Sequence, residues 1–194
     1  MGRKAGVSAE ETRTELLAAA ARVFAAKGYD GASIADICNE AGLSTGPVYA
    51  HYGSKAELFV AVLKAHGHRQ YEAVVGSTEG DVADFLAVVG SRTNKRPPAM
   101  AALVIEAMVA SGRDPEVAEL VGSWLTTGEA HLAASIRDAQ AAGTIVEDIS
   151  PEAISRLATM IGLGSFLTTA LNVPRPDHDE WSQLIQRVID AFRT

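Results

Sequence analysis

A single cysteine in 194 residues excludes an internal disulfide. Cys38 falls on the apolar face of a predicted helix, where a thiol acts as a small hydrophobe and its pKa rises, so it reads as core filler rather than a redox sensor. Long apolar runs are also lacking. The longest weakly polar stretch, Leu157 to Leu171, is interrupted by Thr, Ser and Gly and falls short of the roughly 20 residues that cross a bilayer. The N-terminus is charged and then helical, with Ser8 and Glu11 as a capping box in place of an apolar secretory core, so cytoplasm is the expected location. No segment alternates with period two, and no repeat or low-complexity tail is visible. No nucleophile–base constellation or phosphate-cradling glycine loop appears, so catalysis has no support and no cofactor is implied. His66 and His68 lie two apart and do not share a helix face, while Asp177-His178-Asp179-Glu180 follows Pro176 and opens a helix, where carboxylates need no metal. No metal site is expected.

What is present is a chain with 47% apolar residues, enough for a helical core in one large domain or two small ones. Its most informative stretch is Ser33 to Lys55. Ser33 is placed to cap a short helix, with Asp36 where the helix dipole favours a negative charge. Ile34, Ile37 and Cys38 share one face, and Glu40-Ala41-Gly42-Leu43 supplies a sharp turn followed by an apolar anchor. Ser44 caps a second helix, in whose first turn Pro47 is tolerated. The spacing is that of a helix-turn-helix.

The region from about Thr12 to Leu63 resembles the DNA-binding domain of the tetracycline-repressor (TetR) family. The matching residues are Phe24, Gly28-Tyr29, Ser33-Ile34, Ile37, Ala41-Gly42-Leu43-Ser44, Gly46, Val48-Tyr49, His51-Tyr52, Lys55 and Glu57-Leu58. The resemblance implies an all-α chain. Residues 1–55 form a three-helix DNA-binding domain linked through the helix from Ser54, and residues 56–194 form a helical effector-binding and dimerisation domain. It also implies a repressor that binds a palindromic operator as a homodimer and is released by a small molecule.

Carried over position by position, the family places the Ser44–His51 helix in the major groove. Thr45, Gly46 and Pro47 would read bases, while Tyr49, His51 and Lys55 would meet phosphates, joined by Ser33 and by Ser44 at the helix start. Tyr52 is expected in the core. A lysine is frequent in the family at Thr45 and a small residue at Pro47, so the operator sequence is open and a shallow salt dependence is expected. Charge bears on the same point. The net charge is −7, yet residues 1–55 hold six Lys/Arg and six Asp/Glu, so the whole deficit lies beyond them. The reading domain is neutral, and Arg3 and Lys4 would form either a mobile arm or a merely solubilising tail.

Helical periodicity predicts a first helix over Ala9–Lys27 closed by Gly28, and a helix opened by a Ser54/Glu57 capping box. A break at Gly76–Gly80 is followed by helices over Asp81–Thr93, Ala99–Ser111, Pro115–Ala142, Pro151–Asn172 and Asp177–Arg193. In the penultimate helix Ser155, Ala158, Gly162, Ser165 and Thr169 make a row of small residues; in the last, Trp181, Leu184, Ile185, Val188 and Phe192 make a bulky stripe. Spacing alone allows contact within one subunit or a four-helix dimer interface, and the resemblance favours the dimer. For an effector pocket, Trp124 and His131 are seven apart on one face; Phe85, Met100, Leu103, Met108 and Phe166 would add apolar lining and Glu106 and Asn172 polar groups. These residues serve equally well as ordinary core. Set against a regulator stands a helical small-molecule-binding protein or enzyme whose DNA domain no longer binds DNA.

Overall fold

The computed structural model describes the backbone of residues 9–75, 82–93 and 97–194, with all their side chains except those of 9, 47, 66–75, 82, 84–85 and 88–89. Among the described residues the chain forms α1 (Ala9–Gly31), α2 (Ile34–Ala41), α3 (Thr45–His51), α4 (Lys55–Val75), α5 (Val82–Arg92), α6 (Pro98–Ser111), α7 (Pro115–Ala141), α8 (Pro151–Ala170) and α9 (His178–Asp190). Among the described residues no helix is long and apolar enough to cross a membrane. Local chemistry sets the helix ends. Ser150 caps α8 by accepting from Ala153 N–H, with Pro151 in the first turn. Asp177 caps α9 by accepting from the N–H groups of Asp179 and Glu180, and those bonds, Glu180's first, hold its carboxyl below the usual range. The Ser8 cap, Arg3, Lys4 and the Gly76–Gly80 break lie outside the described residues.

Two compact units form, and their boundary is not at residue 55. The first takes Met1–Gly67 together with Glu106–Val121, and the second takes His68–Ile105 with Gly122–Thr194. Helices α4, α6 and α7 therefore each contribute residues to both. The first unit is built on Leu16, Ala20, Phe24, Ile37, Val48, Leu58, Phe59 and Leu63, all essentially shielded from solvent. In the second, Ala83 and Leu86 of α5, Ile136 and Ala139 of α7, Ile154 of α8 and Ile185 and Ile189 of α9 share a core with Ile145. Gln140 Nε2 donates to the carbonyls of Val146 and Ile149 at 2.7 and 2.9 Å, shaping the turn before α8.

The small-residue row of α8 faces differently from the dimer expectation. Ser155 is buried, and its Oγ donates to the carbonyl of Glu129 on α7 at 2.8 Å. Ala158, Trp181, Ile185 and Phe192 join the core of their own unit, while Gly162, Ser165 and Val188 are half-buried. Only Leu184 of the expected set is well exposed, at 53%. The opposite face of α8 is also apolar, and Leu157, Met160, Leu167 and Leu171 stand in solvent. A helix apolar on both faces gives its periodicity no single inward direction.

Helix α9 seats closely on α5. Trp181 Nε1 donates to Gly90 O at 3.1 Å and to Thr93 Oγ1 at 3.2 Å, and a Cβ on Gly90 would lie 2.6 Å from Ile185 Cγ2. Gly90→Ala must push α9 outward or twist Ile185 off its rotamer. A loss of about 1–3 kcal/mol is expected, read as a lower midpoint in denaturant unfolding.

Candidate nucleic-acid interface

The α2–α3 pair is held by local bonds that the sequence makes almost unavoidable. Asp36 N–H donates to Ser33 Oγ at 3.1 Å, and Ser33 N–H returns a bond to Asp36 Oδ2 at 3.0 Å, completing a capping box. Lys27 Nζ adds a bond to Asp36 Oδ1 at 2.7 Å. That bond first, and Ser33's second, hold the Asp36 carboxyl down at about 2. At the other end Gly42 adopts φ +66, ψ 28, the left-handed conformation that glycine takes without strain, while its N–H and that of Leu43 satisfy the carbonyls of Asn39 and Cys38. Nothing lies within 4 Å of a Cβ there, so the conformation alone asks for glycine. Cys38 is buried beneath the turn, and burial pushes its thiol up.

Helix α3 has one inner and one outer face. Val48 is buried, and Tyr52, the C-cap, is nearly so. Ser44, Thr45, Gly46, Tyr49 and His51 all point outward, Tyr49 with 61% exposure. Ser44 caps α3 in extended conformation without a side-chain bond to its backbone. A Cβ on Gly46 would meet nothing within 4 Å, so no internal contact requires a glycine in this exposed helix. The Pro47 backbone lies in the first turn of α3, and its side chain is outside the described residues.

Two residues expected at phosphates have internal partners. Ser33's hydroxyl donates to Asp36 Oδ2 at 2.7 Å while accepting from Asp36 N–H, so capping occupies it on both sides. Lys55 Nζ donates to the carbonyls of Tyr29 and Ala32 at 2.8 and 3.1 Å and lies 4.3 Å from the centre of the Tyr29 ring. It ties the start of α4 to the end of α1, leaving at most its third N–H for an outside anion.

Tyr29 gathers further bonds that sequence reading missed. Its N–H donates to Glu106 Oε1 at 2.7 Å and its hydroxyl to Asp114 Oδ2 at 2.9 Å. Its ring lies against Phe24 and Phe59. Burial first, then the Asp114 bond, raise the phenol's pKa far above its ordinary value, and the same bond lowers that of Asp114. Gly28 makes this approach possible, because it adopts φ +70, ψ 175 and a Cβ there would sit 3.1 Å from Glu106 Oε1. Arg113 pairs with Asp30 at 3.0 Å and Ser54 Oγ bonds Glu116 at 2.6 Å, fastening the same segment to the same unit. Only the Gly28-Tyr29 pair itself hinted at this.

The residues expected to line an effector pocket are not brought together as one set. Glu106 and Met108 belong to the first unit, with Glu106 bound to Tyr29 and Met108 41% exposed. His131 and Asn172 are exposed, the latter in left-handed conformation beyond α8. Met100 and Leu103 are buried, Trp124 and Phe166 half-buried, and the Phe85 side chain lies outside the described residues.

The outward face of α3 makes a specific demand on Gly46. Gly46→Ala is expected to leave unfolding unchanged or raise stability by up to about 1 kcal/mol, since alanine favours helix, while weakening binding to duplex DNA. Parallel melting and fluorescence-anisotropy measurements check both halves.

Comparison with known proteins agrees with this geometry. The family model describing bacterial regulatory proteins of the tetR family matches residues 16–62. The HTH-type transcriptional regulator UidR of Escherichia coli (strain K12) is 31% identical over 150 residues, covering 77% of this chain and 76% of UidR. Among solved structures, Salmonella enterica GusR is 28% identical and superposes with a TM-score of 0.75 over 93% of this chain and 94% of its own. A TetR-family transcriptional regulator from Cytophaga hutchinsonii, 18% identical, shares the fold with a TM-score of 0.76 over 97% and 98% of the two chains. With helices throughout and a helix-turn-helix turned outward near its N-terminus, the chain belongs to the TetR family of DNA-binding transcriptional regulators and is not an enzyme.

Proposed function

We propose that this regulator is a homodimeric repressor which holds a palindromic operator with two copies of α3 and releases it when a small, mainly apolar or aromatic effector binds. The observation that carries the proposal is the division of α6 and α7. Their adjoining ends, from Glu106 to Val121, belong to the DNA-reading unit, and the rest of each helix belongs to the second unit. A ligand that shifts either helix in the second unit therefore acts on Glu106 and Asp114, and through them on Tyr29 at the end of α1. Operator half-sites stand about 34–36 Å apart, so a modest change in the separation of two recognition helices prevents both from docking. The coupling required is only about 1–3 kcal/mol.

Dimerisation finds its support on α8 and α9. Leu157, Met160, Leu167 and Leu171 form a stripe 41–66% exposed, joined by Leu184 of α9. A groove of about 390 Å³ walled by Ile161, Val173, Pro174 and Trp181 adjoins it. Cβ atoms at Gly162 and Gly164 would meet nothing within 4 Å, so there is open space for side chains of a second copy. Apolar effector chemistry is supported by Met100 and Leu103, buried in the second unit, and by half-buried Trp124 and Phe166. Repression is the simpler sign, because a dimer lying across a promoter excludes polymerase by volume alone.

Met160→Glu combined with Leu167→Glu is expected to give a folded monomer in analytical ultracentrifugation that has lost tight operator binding. Retention of the dimer would place the interface elsewhere. For the regulatory cycle, a gel shift on the DNA upstream of the chain's own gene is expected to show a discrete complex that apolar compounds selected by thermal shift dissolve. Loss of the protein should raise a reporter driven by the same DNA, and a fall would reverse the sign.

A further inference from the structure

The DNA-reading unit has few cations to offer a phosphate backbone, and their partners narrow the choice. Among its described residues, Arg22 is bonded to Glu40 at 2.7 Å, Lys27 to Asp36 at 2.7 Å and Arg113 to Asp30 at 3.0 Å. Lys55 is bonded to two carbonyls. Arg13 and Lys64 remain. Lys64 lies nine residues into α4, about 13 Å from the helix start. Arg13, on the exposed side of α1, instead reaches Tyr52, the residue that ends the recognition helix: its Nε approaches the Tyr52 hydroxyl at 3.4 Å. Its other neighbour is Glu10, 3.7 Å from one terminal nitrogen, too long for a hydrogen bond and between side chains 49% and 77% exposed.

We propose that Arg13 is a phosphate-contacting residue, aimed by Tyr52 at the backbone strand beside the groove that α3 enters. With Nε turned toward the tyrosine, the two terminal nitrogens of the guanidinium remain as a fork, and that fork matches two phosphate oxygens. The Tyr52 hydroxyl, accepting from Arg13, keeps its own proton for the same phosphate. Tyr52 is otherwise buried and caps α3 through its N–H to the Val48 carbonyl, with the His51 ring tilted beside it at 6.3 Å between centres, so the platform under Arg13 is continuous with α3. The contact carries no base information, and it supplies a positive charge from α1 to a reading helix that holds no lysine or arginine of its own.

A phosphate contact is read by its salt dependence on any duplex, so the test uses a random-sequence 30-base-pair DNA and needs no operator. Full-length wild type, Arg13→Gln, Arg13→Lys and Lys64→Gln are titrated by fluorescence anisotropy across a salt series, with melting curves for each. Arg13→Gln is expected to reduce the slope of log K against log[salt] by about 0.9 per bound subunit, about 1.8 for the proposed dimer, and to weaken low-salt binding several-fold. Arg13→Lys is expected to keep the slope, Lys64→Gln to leave it unchanged, and all four proteins to melt alike. An unaltered slope in folded Arg13→Gln overturns the proposal, as does an equal fall in Lys64→Gln, which would mean that net charge alone is felt. If Arg13→Gln does not fold, the charge-removing Arg13→Met decides in its place: the same fall in slope supports the contact, and a wild-type slope overturns it.

Discussion

Everything in the DNA-reading unit leans on the way Tyr29 is held. An α-helix must turn out of its own path at Gly28, and the residue that follows is bound through its amide, carbonyl, ring and hydroxyl. Each bond comes from a different part of the chain: Lys55 opens α4, Glu106 sits on α6 and Asp114 precedes α7. Removing one partner would leave another half-buried polar group unsatisfied, which costs more than the bond itself contributes. The angle between α1 and α4 is thereby fixed, and with it the platform on which α2 and α3 rest.

A second constraint is economy of charge. A reading unit with eight Lys/Arg against eleven Asp/Glu cannot rely on a broad positive field, and most of its described cations serve the fold by pairing with acids or carbonyls. In the proposed dimer, affinity would then come from shape, from a few placed polar groups on α3, and from having two copies at a fixed distance. Weak general attraction has an advantage in a regulator, since non-specific sites in a genome vastly outnumber operators and compete with them.

Local features of the sequence were the legible ones. Ser33 with Asp36, the glycine turn at Gly42 and the start of α3 after Ser44 each depend on a few neighbouring residues, and each is found where its spacing places it, although Ser44 makes no side-chain capping bond. Side-chain commitments across long separations were not. Tyr29 meets Glu106 across 77 positions and Asp114 across 85, and nothing local distinguishes those acids from their exposed neighbours. Lys55 could not be told from a phosphate ligand, because the three N–H donors of an ammonium can be taken up by backbone carbonyls and nothing local in the sequence reveals it. On α8 both the Ser155 row and the Leu157 row repeat every three or four residues, so burial was decided by what the neighbouring helices offered.

The sequence-discontinuous reading unit has a consequence for how the protein is made. Its first sixty-seven residues carry the whole helix-turn-helix, yet the partners that fasten α1 lie between Glu106 and Val121. During synthesis at about 5–20 residues per second, the leading segment waits several seconds for those partners to emerge. The nascent helix-turn-helix therefore spends that interval without the bonds from Glu106 and Asp114 to Tyr29, and gains them only when the chain has already begun the second unit.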